Sequence, residues 1–132
     1  MPAIEEDESR FPLVVIRFNG VASDAEFEGY LDRQSARIAR DQVNAIVIDA
    51  RRAGATPAKQ RRRQAQWMRE HAATLARWSV GTAFVIDSAM VRGLLTAILW
   101  VQPMPTPHVI VTTMEQAESW ARAKLAERGA SF

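Results

Sequence analysis

Two hydrophobic rhythms alternate along the chain, and together they predict an α/β architecture. Residues 13–18, Leu-Val-Val-Ile-Arg-Phe, are rich in β-branched side chains and stop at Asn19-Gly20, a turn signal, so they predict a strand. Residues 3–6 are placed to pair with it as a short edge hairpin across 7–12. Ser23-Asp-Ala-Glu26 has capping-box form, with Glu26 positioned to reach back to the cap amide. The helix it opens puts Phe27, Leu31, Gln34 and Ile38 on one stripe and leaves Asp32, Arg33, Arg37 and Arg40 mostly outside.

The run Ala45-Ile-Val-Ile-Asp49 does not alternate, which predicts a central parallel strand covered on both faces. A polar turn over 50–57 follows, holding Arg51, Arg52, Gly54 and Thr56, with Thr56 as expected cap and Pro57 in the first turn of the next helix. Across 58–77, Ala65, Met68, Ala72 and Leu75 recur at helical spacing as the expected core stripe. Arg61, Arg62 and Arg63 read as a solvated face. Residues 82–87 repeat the apolar strand ending in an acid, and Ser88 is placed to cap a helix over 89–101. That helix is apolar on nearly every side and must be buried by more than one face of a sheet. Pro103, Pro105 and Pro107 stop it. A strand over 108–112 and a last helix follow, capped by Thr113 and packed through Ala117, Trp120, Ala121, Lys124 and Leu125. This order predicts a mainly parallel sheet of four or five strands with about four helices on it, joined by right-handed crossovers in one domain over 1–132.

Composition narrows the function classes. The 132 residues are 48% hydrophobic, enough for one core and too few for two comfortable domains. Seventeen Lys and Arg against 15 Asp and Glu give +2, a balance that does not imply nucleic-acid binding. Cysteine is absent, which excludes disulfides, thiolate catalysis and cysteine-type zinc sites. The acidic start lacks a basic-then-apolar leader, and the longest apolar segment, 94–101, is far short of the roughly 20 residues that span a bilayer. The expectation is a cytoplasmic protein without a transmembrane segment.

In these segments the chain resembles the small sulfate-transporter and anti-sigma-factor-antagonist (STAS) domains, specifically the SpoIIAA-like, or STAS/SEC14-like, group. The resemblance is carried by Phe11-Pro-Leu-Val-Val-Ile-Arg-Phe-Asn-Gly20, Ala45-Ile-Val-Ile-Asp-Ala-Arg51 and Gly81-Thr-Ala-Phe-Val-Ile-Asp-Ser88. Val91-Arg-Gly-Leu-Leu95, Leu99-Trp100, Pro105-Thr-Pro-His108 and Thr113-Met-Glu-Gln-Ala117 with Trp120 complete it. It implies a non-enzymatic regulatory module working through a protein partner of anti-sigma-factor or kinase type, or, by the SEC14 analogy, through a lipid or other apolar molecule. It also implies a regulatory turn after the central strand, where a phosphorylated hydroxyl would add about −1.5 to −2 charges. Here that turn is Asp49, Arg51, Arg52 and Thr56, without the compact Asp-Ser-Ser-Gly form.

No residue set completes a catalytic or metal site. Asp49 and Asp87 each end a strand, where an aspartate accepts backbone N–H bonds or pairs with an arginine such as Arg51 or Arg92. His71 and His108 lack metal-pair spacing, and Gly54-Ala-Thr-Pro-Ala-Lys59 lacks the phosphate-loop ending. No cofactor is expected. The working surface is placed on helix 89–101, with Met90, Val91, Leu94, Leu95, Ile98, Trp100 and the following Met104 as an interface or apolar-ligand face. Either this helix lies deep between sheet and neighbouring helices, or it covers a second copy, a partner or a lipid tail, with Trp100 as anchor.

Overall fold

The structure is a computed structural model and describes residues 2–129. Its sheet has five strands in the order β1 (Ile4–Arg10), β2 (Leu13–Gly20), β3 (Asn44–Ala53), β4 (Ser79–Val85) and β5 (His108–Val111). Strands β2 to β5 run parallel, and β1 pairs antiparallel with β2 at one edge. The helices are α1 (Asp24–Ile38), α2 (Ala58–Glu70), α3 (Ala72–Trp78), α4 (Ala89–Val101) and α5 (Met114–Glu127). None of them is long and apolar enough to cross a membrane.

Strand order equals sequence order, and this decides where the helices go. Parallel crossovers are right-handed as a rule, so successive steps in one direction across a sheet deliver their helices to the same face. Accordingly α1 and α2 cover Val14 and Ile16 through Phe27, Leu31, Ile38, Trp67 and Met68, and α4 lies over Ile46, Ile48 and Phe84 of that same face. Helix α5 has the opposite face to itself. Its Ala117, Ala121 and Leu125, all fully buried, pack on Val15, Val47, Ala83 and Val85.

Local signals set several helix ends. Ser23 accepts from the Glu26 amide while Glu26 returns to the Ser23 amide, and Thr113 with Gln116 closes an equivalent box on α5. Ser88 accepts from the Val91 amide at the start of α4. The expected continuous helix over 58–77 is instead two helices. His71 leaves the helical region, stacks its ring on Trp67 at 4.6 Å and turns Nδ1 to the Trp67 carbonyl, 2.8 Å away. The break leaves Ala65, Ala72 and Leu75 half-buried, so only Met68 of the expected stripe is core, joined by Trp67.

Other expectations shift with strand pairing. Residues 7–10 continue β1 instead of forming a loop, because they pair against Leu13 to Val15. Strand β4 begins at Ser79 and ends before Asp87. Strand β3 runs past Asp49 to Ala53, held by the pairs Asn19–Arg52 and Gly20–Ala53, which puts Arg51 and Arg52 in a strand and not in a turn.

Gly81 marks the tightest packing of the α5 face. A Cβ there would lie 2.5 Å from Trp120 Cη2 and 2.9 Å from the Pro107 carbonyl, which is itself held by the Thr82 amide. Gly93, inside α4, has nothing within 4 Å of the same atom. Urea unfolding should therefore show Gly81→Ala losing about 1–3 kcal/mol by overpacking. Gly93→Ala should gain about 0.5–1 kcal/mol from the less flexible unfolded chain. Equal effects would contradict this difference between the faces.

Candidate functional site

The sheet face beneath α4 is not sealed. An apolar chamber of about 250 Å3 lies there, floored by Ile16, Phe18, Ile46, Ile48 and Phe84 of β2, β3 and β4 and by Ile86 just beyond β4. Helices α1 and α2 wall it through Phe27, Tyr30, Trp67 and Met68, and α4 roofs it. Crossover geometry accounts for the gap. Strands lie about 4.8 Å apart, whereas packed helix axes need about 8–10 Å. The four helices of three crossovers cannot all settle on so narrow a face, and α4, the last delivered, stands off.

Helix α4 divides along its length into two faces. Val91, Leu94, Leu95 and Ile98, at helical spacing, line the chamber and are half-buried, as is Met104 after the helix. Met90 and Trp100 point outward, 78% and 85% exposed. The seven residues expected as one face are thus split between a chamber wall and an outer surface. The expectation that α4 must be buried is also corrected, since none of residues 89–100 is buried. So is the expectation of a fully covered β3, because Ile46 and Ile48 look into the chamber and stay half-buried.

The wall is hydrogen-bonded on the α1 and α2 side. Trp67 Nε1 donates to Ser35 Oγ at 2.9 Å, and Gln60 donates to the Ala22 carbonyl at 2.9 Å and to Asp24. Arg37, expected outside, is 4% exposed and donates to Glu6 at 2.7 Å and to Gln34. The signal for its burial was available, since Tyr30, Gln34 and Arg37 share the i, i+4, i+7 spacing of one helix face. Tyr30 packs edge-on to Phe18 with ring centroids 5.5 Å apart, and burial pushes its phenol pKa up.

The expected regulatory turn is differently built. Thr56 does not cap α2; Pro57 occupies the cap position without a side-chain hydrogen bond, and the Thr56 carbonyl accepts from Arg61. Thr56 itself is half-buried on the chamber wall. Asp49 is buried and gripped by Arg51 through two bonds of 2.9 Å, with Arg17 at 3.8 Å, which bears out the expected aspartate–arginine pair. Arg52 is exposed, on the strand beyond. Asp49 and Asp87 are not register partners, because Asp49 pairs with Val85. Among the described residues no group of three His, Cys, Asp or Glu is placed to hold a metal ion.

The Arg51 hydrogen bonds hold the Asp49 carboxyl below its ordinary pKa, against the opposing effect of burial and with help from the Arg51 amide and from Arg17. A group whose folded pKa is depressed adds stability above its unfolded value, near about 3.9, and that stability is lost as pH falls through the folded value. Urea midpoints across this acid range should therefore fall more steeply for the native protein than for Asp49→Asn. Parallel curves would show that the pair contributes nothing through its proton.

No protein-family model matches the sequence, and no curated protein matches it significantly. Solved structures do match its fold. An uncharacterized protein of the DUF3478 family with a SpoIIAA-like fold, from Shewanella loihica PV-4, superimposes with a TM-score of 0.67 at 11% identity, covering 90% of this chain and 92% of the other. The anti-sigma-factor antagonist SpoIIAA in its unphosphorylated form gives 0.65 at 21% identity over 91% and 98%. An anti-sigma-factor antagonist from Mycobacterium paratuberculosis gives 0.52 at 15% over 90% and 92%. With β1 antiparallel at the edge, four parallel strands and helices on both faces, the chain has the STAS/SpoIIAA-like fold.

Proposed function

We propose that this chain is a non-enzymatic binding module and that its ligand is a small apolar molecule held between α4 and the sheet. The chamber carries the reading. An apolar pocket of about 250 Å3 that is open to solvent on one side gains by exchanging water for an apolar occupant, and α4 faces it with Val91, Leu94, Leu95 and Ile98.

Pyrene, a hydrocarbon without hydrogen-bonding groups, tests the reading through its polarity-sensitive emission. The native protein should bind it saturably at one site. Ile98→Trp, which fills the chamber from α4, should weaken binding by about tenfold or more while leaving the circular dichroism spectrum unchanged. Binding of equal strength in the variant would contradict the proposal.

A second reading rests on Met90 and Trp100, large apolar side chains left 78% and 85% exposed on the outer face of the same helix. Two of the structural neighbours are named as anti-sigma-factor antagonists, and tryptophan is an effective interface anchor. On this reading α4 docks on a protein partner of anti-sigma-factor or kinase type, or on a second copy of the chain. Thr56, beside Arg61 on the chamber wall, is then the hydroxyl where a phosphate would bear on both chamber and partner. Light scattering after size exclusion should show a native dimer that Trp100→Glu dissociates. A native monomer would remove the second copy from this reading.

A further inference from the structure

We infer that the chamber's ligand is a single-chain amphiphile with an anionic head of carboxylate type, its alkyl chain lying between α4 and the sheet and its head held by Arg61 at the chamber mouth. This rests on the apolar-ligand reading and adds the ligand's chemical class and its orientation.

Arg61 occupies an inward position on α2. Gln60, Arg61, Gln64, Trp67 and Met68 follow the spacing of one helix face, and all five line the chamber. The arginine run 61–63, expected as one solvated face, is thereby divided. Arg62 is exposed and outside the chamber, whereas Arg61 is half-buried on its wall. Arg61 spends one N–H on the Thr56 carbonyl and, among the described residues, has no acidic side chain within ion-pairing distance. A guanidinium carries five N–H donors in a planar fork, so most of them, together with an uncompensated charge, are left for a ligand.

The strands place this arginine at an open end. Gly20 and Ala53 are the last residues of β2 and β3, and both line the chamber with Gly54 and Thr56. Val21, which follows Gly20, lines it too and is 51% exposed, so this end meets solvent. A charged head seated here keeps part of its hydration, which limits the cost of burying it. Its chain then runs inward over Ile48 and Ile46 beneath α4. At roughly 30 Å3 per group, the chamber takes about eight methylene-sized groups, a medium-length alkyl chain.

The charge around the mouth selects the sign of the head. Residues 50–69 contain seven Lys and Arg and no Asp or Glu. Arg51, Lys59 and Arg63 are matched by Asp49, Asp24 and Glu28. Arg52, Arg61 and Arg62 have no such pair among the described residues, so a cationic head is repelled and a neutral one leaves Arg61 uncompensated. A carboxylate meets the guanidinium fork with two parallel hydrogen bonds. The other arginine on the chamber wall, Arg37, has a buried N–H without a partner at Nε, yet Glu6 lies 2.7 Å and Glu8 3.7 Å from its guanidinium. Its charge is already matched, and a ligand carboxylate brought there would meet two others. The head therefore belongs at Arg61.

The test is displacement of pyrene by octanoate and by 1-octanol at neutral pH, where octanoate is ionised, from the native protein, Arg61→Met and Arg62→Met. Methionine keeps an apolar stem and removes the charged fork. Both amphiphiles should displace pyrene from the native protein. Arg61→Met should raise the octanoate requirement about tenfold or more, and leave the octanol requirement and pyrene's own affinity within about twofold. Arg62→Met, which removes the same charge outside the chamber, should leave octanoate within about twofold. An unchanged octanoate requirement in Arg61→Met would overturn the inference, as would octanoate that fails to displace pyrene from the native protein. So would a parallel rise for octanoate and octanol, which would mean that Arg61 only shapes the wall, or an equal effect of the two variants, which would mean a general field and not a seat. If Arg61→Met does not fold, Arg61→Gln is read against the same outcomes. A native protein that fails to bind pyrene at all defeats the chamber reading itself, a result distinct from pyrene binding without an Arg61-dependent preference for the carboxylate.

Discussion

Sequential strand order with right-handed crossovers is the constraint on which the rest of this structure depends. From β2 to β5 the chain steps across the sheet in one direction, so three crossovers deliver α1, α2 with α3, and α4 to one face. The other face receives only α5. One face therefore has more helix than it can seat, and the other has one helix over four parallel strands. The chamber under α4 and the tight α5 face are two consequences of this one topology.

Side chains on the two faces follow the same division. Against α5 the residues are small or β-branched, with Ala83, Ala117 and Ala121 letting the helix approach closely and Gly81 admitting the edge of Trp120. Beneath α4 the floor is made of larger residues, Ile46, Ile48, Phe84 and Ile86, yet these do not fill the space because the roof stands away. A helix without a single charge on its inward face is thereby kept half in solvent. The surface burial that would ordinarily stabilise it is left incomplete, and completing it falls to whatever occupies the chamber or covers Trp100.

Much of this was legible from the sequence, and its limits follow from what each signal measures. The capping box at Ser23, the cap at Thr113 and the existence of a parallel strand over Ala45-Ile-Val-Ile-Asp49 are local signals, and the structure carries them as expected. The continuation of β3 through Arg51 and Arg52 depends on Asn19 and Gly20 of another strand, a long-range pairing that no local pattern encodes. The break at His71 turns on a side chain competing for the Trp67 carbonyl within an otherwise unbroken helical periodicity. Periodicity also reports which residues face inward, not what they face. Val91, Leu94, Leu95 and Ile98 read the same whether the neighbour is a packed core or a void, so the chamber was invisible while its wall was not.

The central claim is that an apolar, ligand-accessible chamber exists between α4 and the sheet. Diffraction from crystals of the native protein pressurised with xenon tests it most directly, because xenon enters apolar voids and needs no hydrogen bond to stay there. The account predicts xenon density among Ile46, Phe84 and Leu95, with α4 standing off the sheet. Absence of xenon there, with α4 packed directly onto Ile46 and Phe84, would contradict it.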